Sequence, residues 1–512
     1  MGERSCKVVL LLGLTCTVVA AGAVAATIVY KATTSISSDP YSVQLQKSEV
    51  EPDTYAFGST IVAAFQVGRF AGGGALNIGW ATSHDNGKTW RHGFMPGITK
   101  YQGNGQYDRT SDASVAYDAK YNVWMVSSLA VYDSGGAQPF SPGLSVPAVV
   151  LNRSTDGGLT WQAPVYVFNE GHQGFVDKNW TTCDNWPTSP YYGNCYTEFD
   201  APQSRNMIYM STSTDGGLTW SSPQTTADVA NGLGGQPLVQ PNGTVVVPIG
   251  NGTLSGLQSF VSRDGGNTWS ASQPITQIDS HAVANSLRAP PLPSAAVDAT
   301  GRIYVAWSDC RFEANCSAND IVMTTSMDGI NWTPVVRIPT EAVDSNVDHF
   351  LPALAVDRST GGATAHLSLM YYYYPQADCA GTNCELRVAT MQSTDGGVSW
   401  TKPIEISSHS VAWRTVPMTS QGPMVGDYMS SSFVDGGVAL PVFGMSSLLA
   451  DGRINDAVGL VMDTTTQNLT SEFSRALEWS RLEKNQPRVF VKPEPVLSTR
   501  SNQFGKRWSY LF

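Results

Sequence analysis

The sequence predicts an all-β protein, a β-propeller of four-stranded antiparallel blades, with seven blades expected and six the alternative. Three observations carry this. A short box recurs six times: SHDNGKTW at 83–90, STDGGLTW at 154–161 and 213–220, SRDGGNTW at 262–269, SMDGINW at 326–332 and STDGGVSW at 393–400. Its spacing of roughly 50–70 residues is that of a copied supersecondary unit. Strand-like runs such as MIYMST (207–212) lead into the boxes, and 48 Gly, 29 Pro and 10% aromatics make the chain turn-rich. After residue 30 no long helical periodicity appears until a short stretch at 471–484.

Each box has a physical reading. Its Asp (Asp85, Asp156, Asp215, Asp264, Asp328, Asp395) suits a turn whose carboxylate accepts nearby backbone N–H groups. The following Gly supplies positive φ, and the Trp opens the next strand. The fifth box is one residue short, so a distorted turn is expected there. Around the sixth box the unit reads as strand A in 348–362, B in 363–374, C in 385–392, and D in 402–406. The fifth unit repeats it at 293–301, 302–309, 320–326 and 335–338. Further A strands begin at 111, 177 and 235, one precedes the first box (51–58) and one follows the last (426–437). The segment near 41–52 is expected beside the final blade, closing the ring.

Residues 1–31 read as a signal peptide or signal anchor, because Arg4 and Lys7 precede an uncharged apolar run from Val8 to Tyr30. Residues 32–50 read as a linker with a possible ring-closing strand, 51–465 as the propeller and 466–512 as a C-terminal tail. Export by either route makes the chain secreted or held at the cell surface, with residues 8–30 as the candidate membrane anchor. Six cysteines form near pairs, Cys183/Cys195, Cys310/Cys316 and Cys379/Cys384, as local disulfides of an exported chain do. Glycosylation sequons start at Asn152, Asn179, Asn242, Asn251, Asn315, Asn331 and Asn468. The net charge of −11 argues against a nucleic-acid partner, which needs a basic face. Seven His with no H-x-x-H pattern give no metal site, no cofactor is expected, and a monomer is.

The boxes have the S-x-D-x-G-x-T-W form of the sialidase superfamily, and the chain resembles that family from about residue 50 to 465. The resemblance places the boxes on C–D hairpins at the rim, away from any site. It implies an exported exo-glycosidase acting on terminal, acidic sugars of glycans or glycoconjugates; a non-catalytic glycan- or protein-binding propeller is the alternative. Family chemistry uses three arginines on a carboxylate, an acidic proton donor and a Tyr nucleophile activated by a Glu. The only R-I-P string, Arg337-Ile338-Pro339, follows the fifth box, whereas the family's first arginine precedes the first box, so its role is not carried over.

The B–C loops and D-to-A connections should surround the hub on the face opposite the boxes. Candidate substrate-binding residues there are Arg69, Arg109, Arg288, Arg311 and Arg414. The Cys310/Cys316 and Cys379/Cys384 pairs would brace two B–C loops and hold Arg311 and the Tyr371–Tyr374 run beside the mouth. An Asp opens several A strands (Asp112, Asp177, Asp348, Asp427), and gathered carboxylates raise one another's pKa, keeping one protonated as an acid. These four are the candidate catalytic acids, with Tyr428 as candidate nucleophile.

Overall fold

The computed structural model describes residues 30–40, 48–134, 143–172, 174–407, 411–412, 416–448 and 454–463. The apolar run up to residue 29, the 471–484 stretch and the tail lie outside them, as do Arg414 and Asn468. Among the described residues there is no α-helix, and no helix is long and apolar enough to cross a membrane.

Consecutive segments fold into small antiparallel sheets. Glu49–Phe57, Thr60–Arg69, Ala75–Ser83 and Arg91–Phe94 form the first unit. Arg109–Asp118, Val123–Asp133, Leu144–Ser154 and Val165–Asn169 form the second, and a single pairing of Ala75 with Thr110 bridges the two. Asp177–Cys183, Cys195–Ala201 and Met207–Ser213 make a three-stranded sheet. Leu238–Val239 and Gly232–Leu233 both pair with Val245–Asn251, followed by Gly256–Ser262 and Gln273–Gln277. Ser294–Val297, Ile303–Asp309, Asp320–Ser326 and Val336–Arg337 come next, then Asp348–Val356, Leu367–Tyr374, Glu385–Ser393 and Ile404–Glu405. Val411–Ala412 adds to this last sheet. The final sheet holds Ser430–Val434, Val438–Leu448 and Ile454–Asp463, with Tyr30–Ser35 on its edge. The two ends of the described chain therefore meet in one sheet, and Glu49–Phe57 opens the first.

The innermost strands lie side by side in a closed ring, in which Glu49–Phe57 touches both Arg109–Asp118 and Ser430–Val434. This is a β-propeller. Side chains stitch neighbouring inner strands where no ladder can form. Asp53 accepts the Val115 N–H (2.7 Å), Ser114 the Thr181 N–H (3.1 Å), Gln236 the Ala295 N–H (2.8 Å), Ser294 the Leu354 N–H (2.9 Å) and Ser430 the Thr54 N–H (3.1 Å). Each satisfies an amide that would otherwise be buried bare. Between sheets the core is apolar, as where Trp307, Val305 and Ile303 meet Val246 and Val261.

The boxes form the turns that their sequence calls for. Asp156 accepts from the Thr160 N–H (2.9 Å), the Thr160 hydroxyl (2.5 Å) and the Ser154 hydroxyl (2.8 Å), while Ser154 Oγ accepts the Gly158 N–H (2.9 Å). Burial works to raise these carboxyls, but the hydrogen bonds outweigh it and hold Asp156 at about 2. The shortened fifth box keeps the motif by substitution. Ser326 Oγ reaches the Gly329 N–H at 2.9 Å, three residues on, and Asn331 Nδ2 takes the place of the missing Thr on Asp328 (2.7 Å). The first box donates Asn86 N–H to Ser59 of the A–B turn (3.0 Å), so boxes and A–B turns share a face.

The three expected disulfides are formed: Cys183–Cys195, Cys310–Cys316 and Cys379–Cys384. The place of Cys384 differs from the expectation of a loop residue at the hub mouth. It is fully buried in the core with Phe350, Tyr374 and Leu386, while Cys379 at the other end of the bridge is only partly buried. The reason is that Cys384 directly precedes the strand Glu385–Ser393, so its side chain joins the packing between sheets. Tyr372 and Tyr374 are buried in that same core and Tyr371 in the one beside it, which makes the tyrosine run packing for strand B. Asn152 and Asn179 are also corrections. Both are buried, with their amides bound to Pro96 and Gln162 and to Ser127, which removes them as glycan acceptors in the folded chain.

Replacing Asp156 by Ala removes four hydrogen bonds from one turn, from Ser154 Oγ, Leu159 N–H, Thr160 N–H and Thr160 Oγ1, and is expected to cost roughly 1–2 kcal/mol of stability. Thermal unfolding checks this: an unchanged Tm would show that the boxes do not hold the sheets.

Candidate functional site

The face opposite the boxes carries a packed group of charges at the hub. Its geometry starts from one backbone irregularity. Inner strands in the first, second, third and sixth sheets each break register, and the residue in the break has positive φ: Glu51 (56°), Asp112 (47°), Lys178 (51°) and Leu351 (51°). Left-handed backbone at a non-glycine residue stores strain, and bulges re-aim side chains next to functional sites. Here three of the four re-aimed residues are charged.

Asp427 is the centre of the group. It pairs with both Lys178 Nζ and Arg288 Nη2, and its own N–H donates to Glu51 Oε1 (3.0 Å). Lys178 also lies 3.5 Å from Asp112. Burial works to raise the Asp427 carboxyl, but the two cations overcome it and hold Asp427 well below the usual range. Lys178 and Arg288 are correspondingly pushed up by these carboxylates against the pull of burial. Arg69 shares this environment: burial lowers it, Glu51 and Asp427 support its charge, and Arg288 opposes it. Its Nη1 donates to Phe70 C=O at 2.9 Å.

Acids outnumber these cations. Burial, then the neighbouring carboxylates, lift Glu51 and Asp177 to about 7, and burial lifts Asp53 likewise. Asp177 lies opposite Asp200 in register, and Glu198 stands on the same strand face as Asp200; burial raises both well above the usual carboxyl range. One Asp177 oxygen accepts the Lys178 N–H (2.9 Å), while the other and both oxygens of Asp200 meet no donor among the described residues. A carboxyl in that position holds its proton near neutrality, as a general acid must. Tyr428 donates to Ala113 C=O (3.1 Å) and packs edge-on to Trp180 at 5.3 Å. Burial and the surrounding carboxylates, Asp112 and Glu51 first, keep its phenol protonated.

The structure thus brings together Asp112, Asp177, Asp427, Tyr428, Arg69 and Arg288 from the sequence-based candidates. Asp348 is elsewhere: it accepts from Asn319 N and Nδ2 (both 2.8 Å) and faces His281. The reason is a register offset. Asp112 is itself the bulge residue of its strand, whereas Asp348 lies three residues before its own, Leu351. Arg109 is paired with Asp133 beneath Phe70, and Arg311 with Asp309 on the outer Cys310–Cys316 loop. The Cys379–Cys384 bridge likewise contributes no group to the hub, since Cys384 is packed in the core behind it. Sequence reasoning missed Glu51, Glu198 and Asp200. The signal was present in CYTEFDA, where two acids alternate on one face of a fully buried strand. The Arg337 of the R-I-P string pairs with Asp320 and Glu341 beside His349, filling a place where three ligand-type atoms lie within 4.8 Å.

Access to this hub is closed. Arg69 and Arg288 are each 7% exposed and Lys178 5%. A hairpin, Met418–Thr419 paired with Gly422–Pro423, lies across it, tied by Ser420 N–H to Ala71 C=O (2.9 Å) and by Arg288 N–H to Pro423 C=O (2.8 Å).

The six box turns share one hydrogen-bonding pattern, and a model of the BNR repeat-like domain matches residues 145–351. The match covers the second to the fifth box and the strands around them. No curated protein matches the chain. Among solved structures it is similar to a protein of unknown function from Dyadobacter fermentans, at 16% identity over 72% of this chain and 99% of that one, TM-score 0.45. It is also similar to the NanB sialidase of Streptococcus pneumoniae (13%, 85% and 70%, TM-score 0.43) and to an ulvan lyase of polysaccharide lyase family PL25 (12%, 90% and 99%, TM-score 0.47).

The raised acids fix a pH dependence. Unfolded, Glu51, Asp53 and Asp177 titrate near pH ~4; folded, they titrate at about 7. Between these values the folded chain binds more protons, so stability falls as pH rises. The lowered groups, Asp427 and the box aspartates, act oppositely, and their contribution is lost only as pH drops below the ordinary carboxyl range. The Tm is therefore expected to be higher at pH 5 than at pH 8. A Tm that rises from pH 5 to pH 8 would contradict the hub assignment.

Proposed function

We propose that this BNR-repeat chain is an exported, sialidase-like glycoside hydrolase that removes a terminal acidic sugar at the hub of a seven-bladed ring. Seven is supported by the inner strands that follow one another around the axis, beginning at Glu49, Arg109, Asp177, Leu238, Ser294, Asp348 and Ser430. The observation that carries the chemistry is the meeting of Arg69, Lys178 and Arg288 with Asp177, a carboxyl that is half-protonated near neutral pH. The cations supply the charge that a sugar carboxylate needs, and guanidinium pairs with carboxylate in two parallel hydrogen bonds. Asp177 would give its proton to the leaving oxygen as the glycosidic C–O bond breaks, and water completes the hydrolysis. Tyr428 is the candidate nucleophile, with Glu51 or Asp112 taking its proton. The substrate carboxylate would displace Asp427 from part of its pairing, which requires the Met418–Pro423 hairpin to move.

A specific observation favours a second reading. The cations are almost fully buried, and two of them are already paired with Asp427, as expected if the charges serve only to hold the ring. The chain would then be a non-catalytic glycan- or protein-binding propeller.

The test is glycoside release by the full chain from a fluorogenic panel that includes sialosides and uronides. Release from an acidic substrate is expected, with kcat reduced about 10²–10⁴-fold in Asp177→Asn. No release from any member of the panel would leave the binding reading.

A further inference from the structure

We propose that the central channel, where it opens on the box-bearing face, is a separate binding site for the neutral end of an oligosaccharide. The inference does not rest on the hydrolase reading. A cavity of about 570 Å³ runs along the axis from that face, bounded at its inner end by Asp53, Trp180 and Met429. Such a volume lies within the roughly 300–1,000 Å³ of small-ligand pockets. Of the hub charges only Asp53 lines it; Glu51, Asp112, Asp177, Lys178, Arg288 and Asp427 do not.

The lining has carbohydrate chemistry. Tyr55, Trp180 and Trp186 line it and are each partly exposed, and aromatic side chains are groups on which the C–H faces of sugar rings pack. Trp180 and Thr182 alternate along one strand, and both are partly exposed while Thr181 and Cys183 between and beside them are buried. Donors are left over. Gln236 uses its amide oxygen on Ala295 N–H, but its Nε2, the Thr182 hydroxyl and the Trp180 indole N–H have no partner among the described residues. These are groups that sugar hydroxyls satisfy. The Trp186 arm is fixed rather than loose: its loop is closed by the Cys183–Cys195 disulfide, its indole N–H donates to Val239 C=O (2.7 Å), and Arg358 lies over its ring at 4.8 Å.

Charge selects a neutral ligand. Arg358, the cation of this mouth, is already bonded to the Tyr55 hydroxyl and stacked on Trp186, and Asp357 and Asp435 line the same rim. The buried Asp53 at the inner end is occupied by Val115 N–H and the Ser430 hydroxyl. A carboxylated sugar would meet two rim carboxylates for one engaged guanidinium.

Calorimetric titration of the full chain with maltotriose, cellotriose, mannotriose and tri-N-acetylchitotriose, against trigalacturonate and sialyllactose, tests the proposal. At least one neutral trisaccharide should bind, and more tightly than either acidic one. Trp186→Ala should weaken that binding at least tenfold. Thr182→Val, nearly isosteric and therefore safe for folding, should weaken it at least threefold. Absence of neutral binding, preference for the acidic glycans, or wild-type affinity in Thr182→Val would each overturn the assignment.

Discussion

The arrangement depends on Asp427 and the two cations it holds. Lys178 comes from the third sheet, Arg288 from the connection ahead of Ser294–Val297, and Asp427 from the connection that enters the last sheet. One carboxylate therefore ties three distant parts of the ring across its axis. None of the three groups is more than 7% exposed, so each would be an uncompensated buried charge without the others. Removing one partner from such a set typically costs about 3–5 kcal/mol, which makes the constraint strong whatever chemistry it serves. Burial first, and then the neighbouring carboxylates, keep Asp177 and Glu51 protonated into the neutral range.

Much of the architecture was legible from the residues. The boxes form the hydrogen-bonded turns that Ser, Asp, Gly and Thr dictate, and the near pairs of cysteines are joined. Spacing told which cysteines pair but not where they lie, and Cys384 proved to belong to the core rather than to the mouth. The strands follow the aligned units, although the third sheet has three ladder strands and the fourth has its inner strand split between Gly232–Leu233 and Leu238–Val239. The site was legible in part, and the limit was geometric. Aligning on the first Asp of each inner strand ignores a bulge, and one residue of register exchanges the two faces of a strand. Lys178, not Asp177, is the counterpart of Glu51 and Asp112, and Asp348 never reaches the hub. Glu198 and Asp200 sit on a second strand, where an alignment of first strands cannot look.

The two faces of the ring divide polarity between them. One end of the axis is sealed over buried ion pairs, and the other is an open channel of aromatic and amide groups beside the box turns. A repeat fold permits this because every unit contributes a strand end to each face, so sequence changes at one end leave the other intact.

The most direct test of the account is the infrared absorption of protonated carboxyl groups, followed by pH titration of the folded chain and of Asp177→Asn. Buried acids that retain protons at pH 6, titrate around neutrality and lose intensity in the variant are what this hub predicts. Complete ionisation of the carboxyls by pH 5 would show that the hub does not hold its acids in the protonated state on which the reading depends.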